Sequence, residues 1–208
     1  MKRYIALQKH LQRVRIGLQN RLGRDGLYKE ELLELCESII GLEDRLDKEI
    51  EQTAKEHPIY HELLKIKGIG PKLASRLVAY IDIRKCNTVS QLWRYAGYGV
   101  VDGKAERAKK GETRHYCGEL KTILYLVALA FLRSHSPYTH LYYEEREKHP
   151  DLKPMHQHLR GLRKMIKMFL SHLWEKWRTL EGLETRKAYV IEVLGHTHIH
   201  EAKDYGWE

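Results

Sequence analysis

Ile66-Lys67-Gly68-Ile69-Gly70-Pro71-Lys72-Leu73-Ala74-Ser75-Arg76-Leu77 decides the fold of this chain. Two glycines flank an isoleucine, and a proline then opens a run with helical spacing. Glycine supplies the backbone angles of a tight turn, and proline suits the first position of the next helix. Upstream, Tyr60, Leu63, Leu64 and Ile66 give one short apolar helix face; downstream, Leu73, Leu77, Val78 and Ile81 give another. The stretch therefore predicts two helices joined by a Gly-Ile-Gly hairpin. Backbone N–H groups at the second helix's N-terminus, with Lys67 and Lys72 beside them, suit a phosphate. Ser75 and Arg76, one turn further on, join the candidate contacts. Such a hairpin addresses nucleic-acid backbone, not base sequence. A lone GxG would read as an ordinary glycine-capped helix end. Proline, two lysines and two amphipathic flanks together favour the nucleic-acid reading.

Working outward, the 208 residues suffice for one domain of ordinary size, or one domain and an appendage. Lys and Arg outnumber Asp and Glu by 37 to 28, a formal charge of +9. The excess favours a polyanionic partner. Membrane insertion is not expected: the longest apolar stretch, Ile123 to Leu132, is too short to span, and the N-terminus MKRYIALQKH lacks a signal-peptide core. Cys36, Cys86 and Cys117 are scattered and odd in number, which argues for a reducing, cytoplasmic setting and for small buried side chains.

Most of the chain carries apolar residues three and four apart. The first helix places Leu7, Leu11, Val14, Leu18 and Leu22 on one stripe amid seven basic residues, with no acid before Asp25. Gly23 to Gly26 reads as a turn. The second helix, about Lys29 to Glu56, has Leu32, Leu35, Ile39, Leu42, Leu46 and Ile50 at heptad-like steps and is strongly acidic. A basic helix followed by an acidic one predicts an antiparallel, coiled-coil-like hairpin whose charges partly cancel.

Beyond the Gly-Ile-Gly turn, Asn87 or Thr88 caps a short helix that ends at Gly97. Residues 98–105 are the one plausible strand region, with a hairpin turn at Asp102-Gly103. A basic run follows, holding Lys104, Arg107, Lys109, Lys110 and Arg114. Helices are then expected over about Gly118 to Arg133, Tyr138 to Lys148 and Met155 to Leu180. The last turns Leu159, Leu162, Ile166, Phe169, Leu173 and Trp177 inward, while Arg160, Arg163, Lys164, Lys167, Lys176 and Arg178 face away. Trp93, Trp174 and Trp177 sit at core spacing and read as packing. Tyr189 to Leu194 suggests a strand or an arm.

These blocks fall into an order that resembles the carboxyl-terminal, helix-hairpin-helix half of insertion-sequence transposases of the bridge-RNA-guided DEDD family. The matching stretches are a helix ending near His57-Pro58, then LLKIKGIGPKLASRLVAYI, VSQLWRYAGY, GKAERAKKG, ELKTILYLVALAF, SPYTHLYYEEREKH and HLRGLRKMIKMFLSHLWEKWR, together spanning about Leu35 to Arg178. The resemblance implies handling of DNA or structured RNA, and self-association as a homodimer or higher oligomer. Two departures matter. The family's RuvC-like nuclease domain would precede the coiled coil, where only about thirty helical residues stand here; a separate nuclease subunit would then be a further partner. The serine the family carries ahead of the glycine-lysine turn is replaced by Val101-Asp102.

Other chemistry is thinner. His196, His198 and His200 alternate as metal ligands on a strand would, yet only Glu201 could complete a site, and a solvated tail is the simpler reading. Glu144, Glu145, Glu147 and Asp151 look like the outer face of a helix, not a two-metal site. Asp102, beside Lys104 and Lys109, is a weak catalytic candidate; Asp-Gly more simply forms a turn. No cofactor is expected.

The sequence thus predicts a mostly α-helical cytoplasmic protein: a helical hairpin over 1–57, a helix-hairpin-helix domain over 58–182 and a C-terminal arm or tail over 183–208. The leading function is nucleic-acid binding and assembly in a mobile-element context. An active DNA-cleaving or joining enzyme, and a helical oligomerisation protein with an incidental basic surface, are the alternatives.

Overall fold

The structure, a computed structural model, describes residues 1–22, 29–101, 103–106, 111, 113–185 and 201–207. The described chain is mostly α-helical, with eight α-helices and one two-stranded ribbon. It divides into two compact units, Met1–His57 and Pro58–Glu208.

The first unit pairs α1 (Lys2–Leu22) with α2 (Lys29–Lys55). The buried and half-buried positions run Ile5, Gln8, Leu11, Arg15, Leu18 and Leu22 on α1, and Leu32, Cys36, Ile39, Glu43, Leu46 and Ile50 on α2. Each stripe keeps heptad-like steps, but the register is not the apolar one expected. Leu7, Val14, Leu35 and Leu42 are 41–48% exposed, and Gln8, Cys36 and Glu43 take the inward places. The cause is a forked ion pair: Arg15 Nε and Nη2 donate to the two Glu43 carboxylate oxygens at 3.0 and 3.1 Å. A bidentate pair fixes the helices' rotation more tightly than leucines can, because leucines tolerate small shifts.

In the second unit, α3 (Pro58–Lys65) and α4 (Pro71–Tyr80) form the hairpin. A 3-10 turn at Ile83–Lys85 leads to α5 (Val89–Tyr95), opened by a reciprocal cap in which Thr88 Oγ1 accepts from Gln91 N and Gln91 Oε1 accepts from Thr88 N. β1 (Val100–Val101) and β2 (Lys104–Ala105) then pair antiparallel, with Val100 opposite Ala105 and Val101 opposite Lys104. The core is built by α6 (Gly118–Ser134), α7 (Thr139–Glu147) and α8 (Pro154–Leu180). Phe131 and Tyr138 stack at 5.0 Å, and Phe169 meets both edge-on.

α8 is the spine of this unit, touching α3, α5, α6, α7 and the 3-10 turn. Its inward face carries Leu162, Ile166, Phe169, Leu173 and Trp177 as expected, but Leu159, expected with them, is 50% exposed, because it lies on the first turns of α8 ahead of the core contacts. Two of its cations depart from expectation. Arg178 is buried, with Nε donating to Glu184 O and Nη1 to Cys86 O, and Lys176 pairs with Glu62 on α3 at 3.3 Å. Against α7 the approach is close: a Cβ on Gly161 would fall 2.8 Å from the Tyr142 carbonyl oxygen.

The end of the chain returns to this unit. Trp207 Nε1 donates to Tyr138 Oη at 2.7 Å, and Tyr205 lies against Tyr138 and His172. Cys36 and Cys86 are buried; burial pushes the Cys86 thiol up to about 11, so it stays protonated and unreactive.

The hairpin's two glycines have different duties. Gly68 has φ +102°, and a Cβ there would lie 2.6 Å from Ser134 Oγ and 3.1 Å from the Ala130 carbonyl. Gly70 has φ −96°, and a Cβ there would meet nothing within 4 Å. Gly68→Ala should therefore cost about 2–5 kcal/mol, from the left-handed backbone and the collision with α6. Gly70→Ala should stay within about 1 kcal/mol, the weak preference for glycine over alanine at an N-cap. Urea unfolding of the two variants measures the contrast.

Candidate nucleic-acid interface

Two groups of the predicted residues assemble in the second unit, at different corners. The first is the hairpin. Ile66 and Ile69 are buried and pin the turn from inside. Gly70 caps α4: its carbonyl accepts from Leu73 N and Ala74 N, while its own N–H has no acceptor among the described residues. Pro71 follows at the first helical position. Lys67, Gly70, Pro71 and Lys72 are exposed, so an open amide and two ammonium groups share one surface. Ser75 does not join them. It is buried, and its hydroxyl donates to the Pro71 carbonyl at 2.7 Å. Arg76 is half-buried on the same helix.

The second group lies on α8, where Arg160, Arg163, Lys164 and Lys167 recur at i, i+3, i+4 and i+7 and so line one face. With Glu145 of α7 they bound an open depression of about 190 Å³. The expectation that all four cations face away holds for Arg160 and Lys164, which are exposed; Arg163 and Lys167 are half-buried. Arg163 Nη2 donates to the carbonyls of Tyr98 and Gly99 at 2.6 and 2.9 Å. Lys167 Nζ sits 3.8 Å above the Trp93 ring, and Trp93 Nε1 donates to the Lys167 carbonyl at 3.1 Å. Trp174 and Trp177 are buried as the sequence suggests, but Trp93 is half-buried and serves as a platform for a cation.

Glu145 does not neutralise this group. Its Oε1 already accepts from Arg160 Nε and Nη2 at 3.2 and 2.9 Å. Arg160 Nη2 also lies 2.7 Å from His149 Nε2; arginine can only donate, so that nitrogen is the acceptor and its 3.5 Å approach to Glu145 is no ion pair. The sequence suggests only an outer helix face for Glu145 and core packing for Trp93, and gives His149 and the Tyr98 and Gly99 carbonyls no part in a site. The i, i+4 spacing of Glu145 and His149 was the only signal present.

Of the remaining candidates, Lys104 stands exposed on β2 and Arg114 is exposed ahead of α6. Asp102, Arg107, Lys109, Lys110, His196, His198 and His200, together with the Tyr189–Leu194 segment, lie outside the described residues. Among the described residues no group of three or more His, Cys, Asp or Glu is placed to hold a metal, and no helix is long and apolar enough to cross a membrane.

Burial, joined by the charges of Arg163 and Lys164, pushes the Lys167 ammonium down from its ordinary 10.5 to about 8. The Trp93 face favours the charged form but does not outweigh them. Between about pH 8 and 10.5 the folded chain then binds fewer protons at Lys167 than the unfolded chain, so stability rises with pH across that window. Below about pH 8 both states are protonated and the full cost of burying the charge remains. Lys167→Met should remove this contribution: the variant matches or exceeds the parent's stability at pH 7, and the difference shrinks as pH rises toward 10. Urea titrations of both proteins at three pH values give the comparison.

No curated protein and no solved structure matched this chain. A family model did, over residues 60–144, a range that takes in most of α3, the hairpin, α4, α5, the ribbon, α6 and most of α7. That model describes the transposase IS116/IS110/IS902 family, and residues 60–144 of this chain are similar to it.

Proposed function

We propose that this chain is a transposase-related nucleic-acid-binding module that grips phosphate backbone, foremost that of DNA, through the α3–α4 hairpin. The observation that carries the reading is Gly70: an open amide at a helix N-terminus, beside exposed Lys67, within the transposase-family segment. Amides and a helix dipole there favour an anion without reading bases. Strand transfer is no part of the proposal, because Val101-Asp102 stands where the resemblance expects a serine nucleophile.

Gly70→Asp tests the grip without confounding it with folding. Aspartate is a favoured N-cap, so the helix keeps or gains stability, while its carboxylate competes for the amides and repels phosphate. Affinity for a DNA duplex, read by fluorescence anisotropy, should fall roughly tenfold to a hundredfold, the worth of one or two charge-assisted hydrogen bonds. Lys67→Gln should lower the slope of log affinity against log salt by about one. Unchanged binding in both variants, with circular dichroism intact, would overturn the reading.

Self-association belongs to the same proposal. Leu7, Val14, Leu35 and Leu42 repeat at heptad distance on α1 and α2 yet remain 41–48% exposed, more apolar surface than a solvated arm carries without a partner. A second copy of the chain is the expected cover. Light scattering at tens of micromolar, on the order of weak-dimer affinities, should show a dimer that Leu35→Glu with Leu42→Glu converts to monomer.

A further inference from the structure

The cations of α8 lie beyond residue 144 and so outside the transposase-family segment. Their environment is unusual for charges with a merely structural role. Of the side chains bounding the depression, only Glu145 is acidic, and it is engaged by Arg160. Arg163, Lys164 and Lys167 have no carboxylate partner among the described residues. Glu106 lies beside Gly99 with its Oε2 buried and without a hydrogen-bond partner, and it makes no ion pair with Arg163, Lys164 or Lys167. A half-buried ammonium without a counter-ion weakens a fold, and such local conflicts mark functional sites.

The surroundings hold the cations in place without neutralising them. Two backbone carbonyls fix one edge of the Arg163 guanidinium, so its remaining N–H groups keep a set direction. The Trp93 ring supports Lys167 from below, and Trp93 Nε1 locks the α8 backbone at the same residue. Lys164 is exposed at the rim. The space of about 190 Å³ is that of roughly six waters, enough for a phosphate group and bridging water.

We propose that the depression bounded by Arg163, Lys164 and Lys167 is a second phosphate subsite, separate from the hairpin, which takes one backbone phosphate of a bound nucleic-acid strand. The proposal rests on the nucleic-acid reading but not on the hairpin as the point of contact. An anion in the depression replaces the missing counter-ion and removes the repulsion among the three cations. Guanidinium and ammonium donors aimed at one volume match phosphate oxygens better than they match a carboxylate.

Filling the site carries a proton signature. The charged groups that bound the depression with Lys167 are Arg160, Arg163 and Lys164 on its own helix and Glu145 on α7; His149 lies against Arg160, and the Tyr98 ring lies under Arg163. Burial brings the Lys167 ammonium down to about 8. A phosphate beside it favours the charged form, so binding near pH 8 takes up a fraction of a proton, and affinity declines as pH rises from about 7 to 9.

Lys167→Met keeps the apolar stem over Trp93 and removes the charge. Lys164→Gln, at an exposed position, is a second variant with no folding role. The full chain is titrated calorimetrically with inorganic phosphate and with a DNA duplex, in two buffers of different ionisation enthalpy. For the duplex, each α8 variant should lower the salt slope by about one and weaken binding several-fold. The proton uptake seen at pH 8 with the parent should vanish in Lys167→Met. Inorganic phosphate should bind weakly to the parent and to Gly70→Asp, and not to Lys167→Met.

Duplex affinity unchanged in both α8 variants, or proton uptake that survives Lys167→Met, would overturn the subsite. Phosphate binding lost in Lys167→Met while duplex binding is unaffected would assign the depression to a free anion and also overturn it. If duplex binding depends on Lys164 and Lys167 but not on Gly70, the hairpin reading fails and the subsite stands. No binding of any duplex or RNA by the parent defeats both.

Discussion

Burial of one face of α8 is the constraint on which the second unit depends. Eight apolar side chains, Leu162, Met165, Ile166, Phe169, Leu170, Leu173, Trp174 and Trp177, lie within it with at most 5% exposure. At roughly 1.5–3 kcal/mol for each large apolar side chain buried, this is the largest hydrophobic face among the described elements of the unit, ahead of the six buried apolar residues of α6. α3, α5, α6 and α7 all pack on it. Its position then determines where the hairpin sits, through Lys176 and Glu62, and where the β-ribbon begins, through Arg163 and the Tyr98 and Gly99 carbonyls. A helix held so firmly on one side can carry poorly compensated charge on another without losing its place.

Two close approaches sharpen this arrangement. Gly161 lets the backbone of α7 lie directly on α8, and Gly68 lets the hairpin turn lie directly on the end of α6. Both are positions where a methyl group would have no room. They convert loosely specified helix packing into a fixed distance, and the Gly70 amide inherits that fixed position two residues later. The open glycine is useful because the closed one beside it is rigid.

The helices were legible in the sequence because three- and four-residue spacing and capping chemistry are local. The hairpin, the Thr88 cap and the inward face of α8 from Leu162 onward all follow from residues within a few positions of one another. The register of α1 on α2 was not, because leucine stripes on both helices offer two nearly equivalent seams. An Arg15–Glu43 pair, 28 residues apart, chooses between them. The final residues were likewise opaque: Tyr205 and Trp207 look like a solvated end until Tyr138 and His172 are seen waiting for them. For the site, the cations could be named from composition and spacing, but not which were spent. Ser75 turns its hydroxyl into its own helix, and Arg160 is taken by Glu145. Whether a cation has a partner is a tertiary fact.

That distinction bears on how the chain would recognise nucleic acid. Exposed surface lysines add affinity that salt erodes and that any polyanion can claim. Arg163 and Lys167 differ, since their stems are packed and their heads are aimed by two carbonyls and an indole ring before any ligand arrives. Preorganised cations lose less side-chain entropy on binding, and less water separates them from the phosphate. Such a pair fixes where a strand lies as well as how tightly it is held. A hairpin that grips one phosphate through amides leaves the strand free to pivot about that point. A second fixed phosphate site removes the pivot and sets a direction along the strand, which is what a protein that reads backbone shape without bases requires.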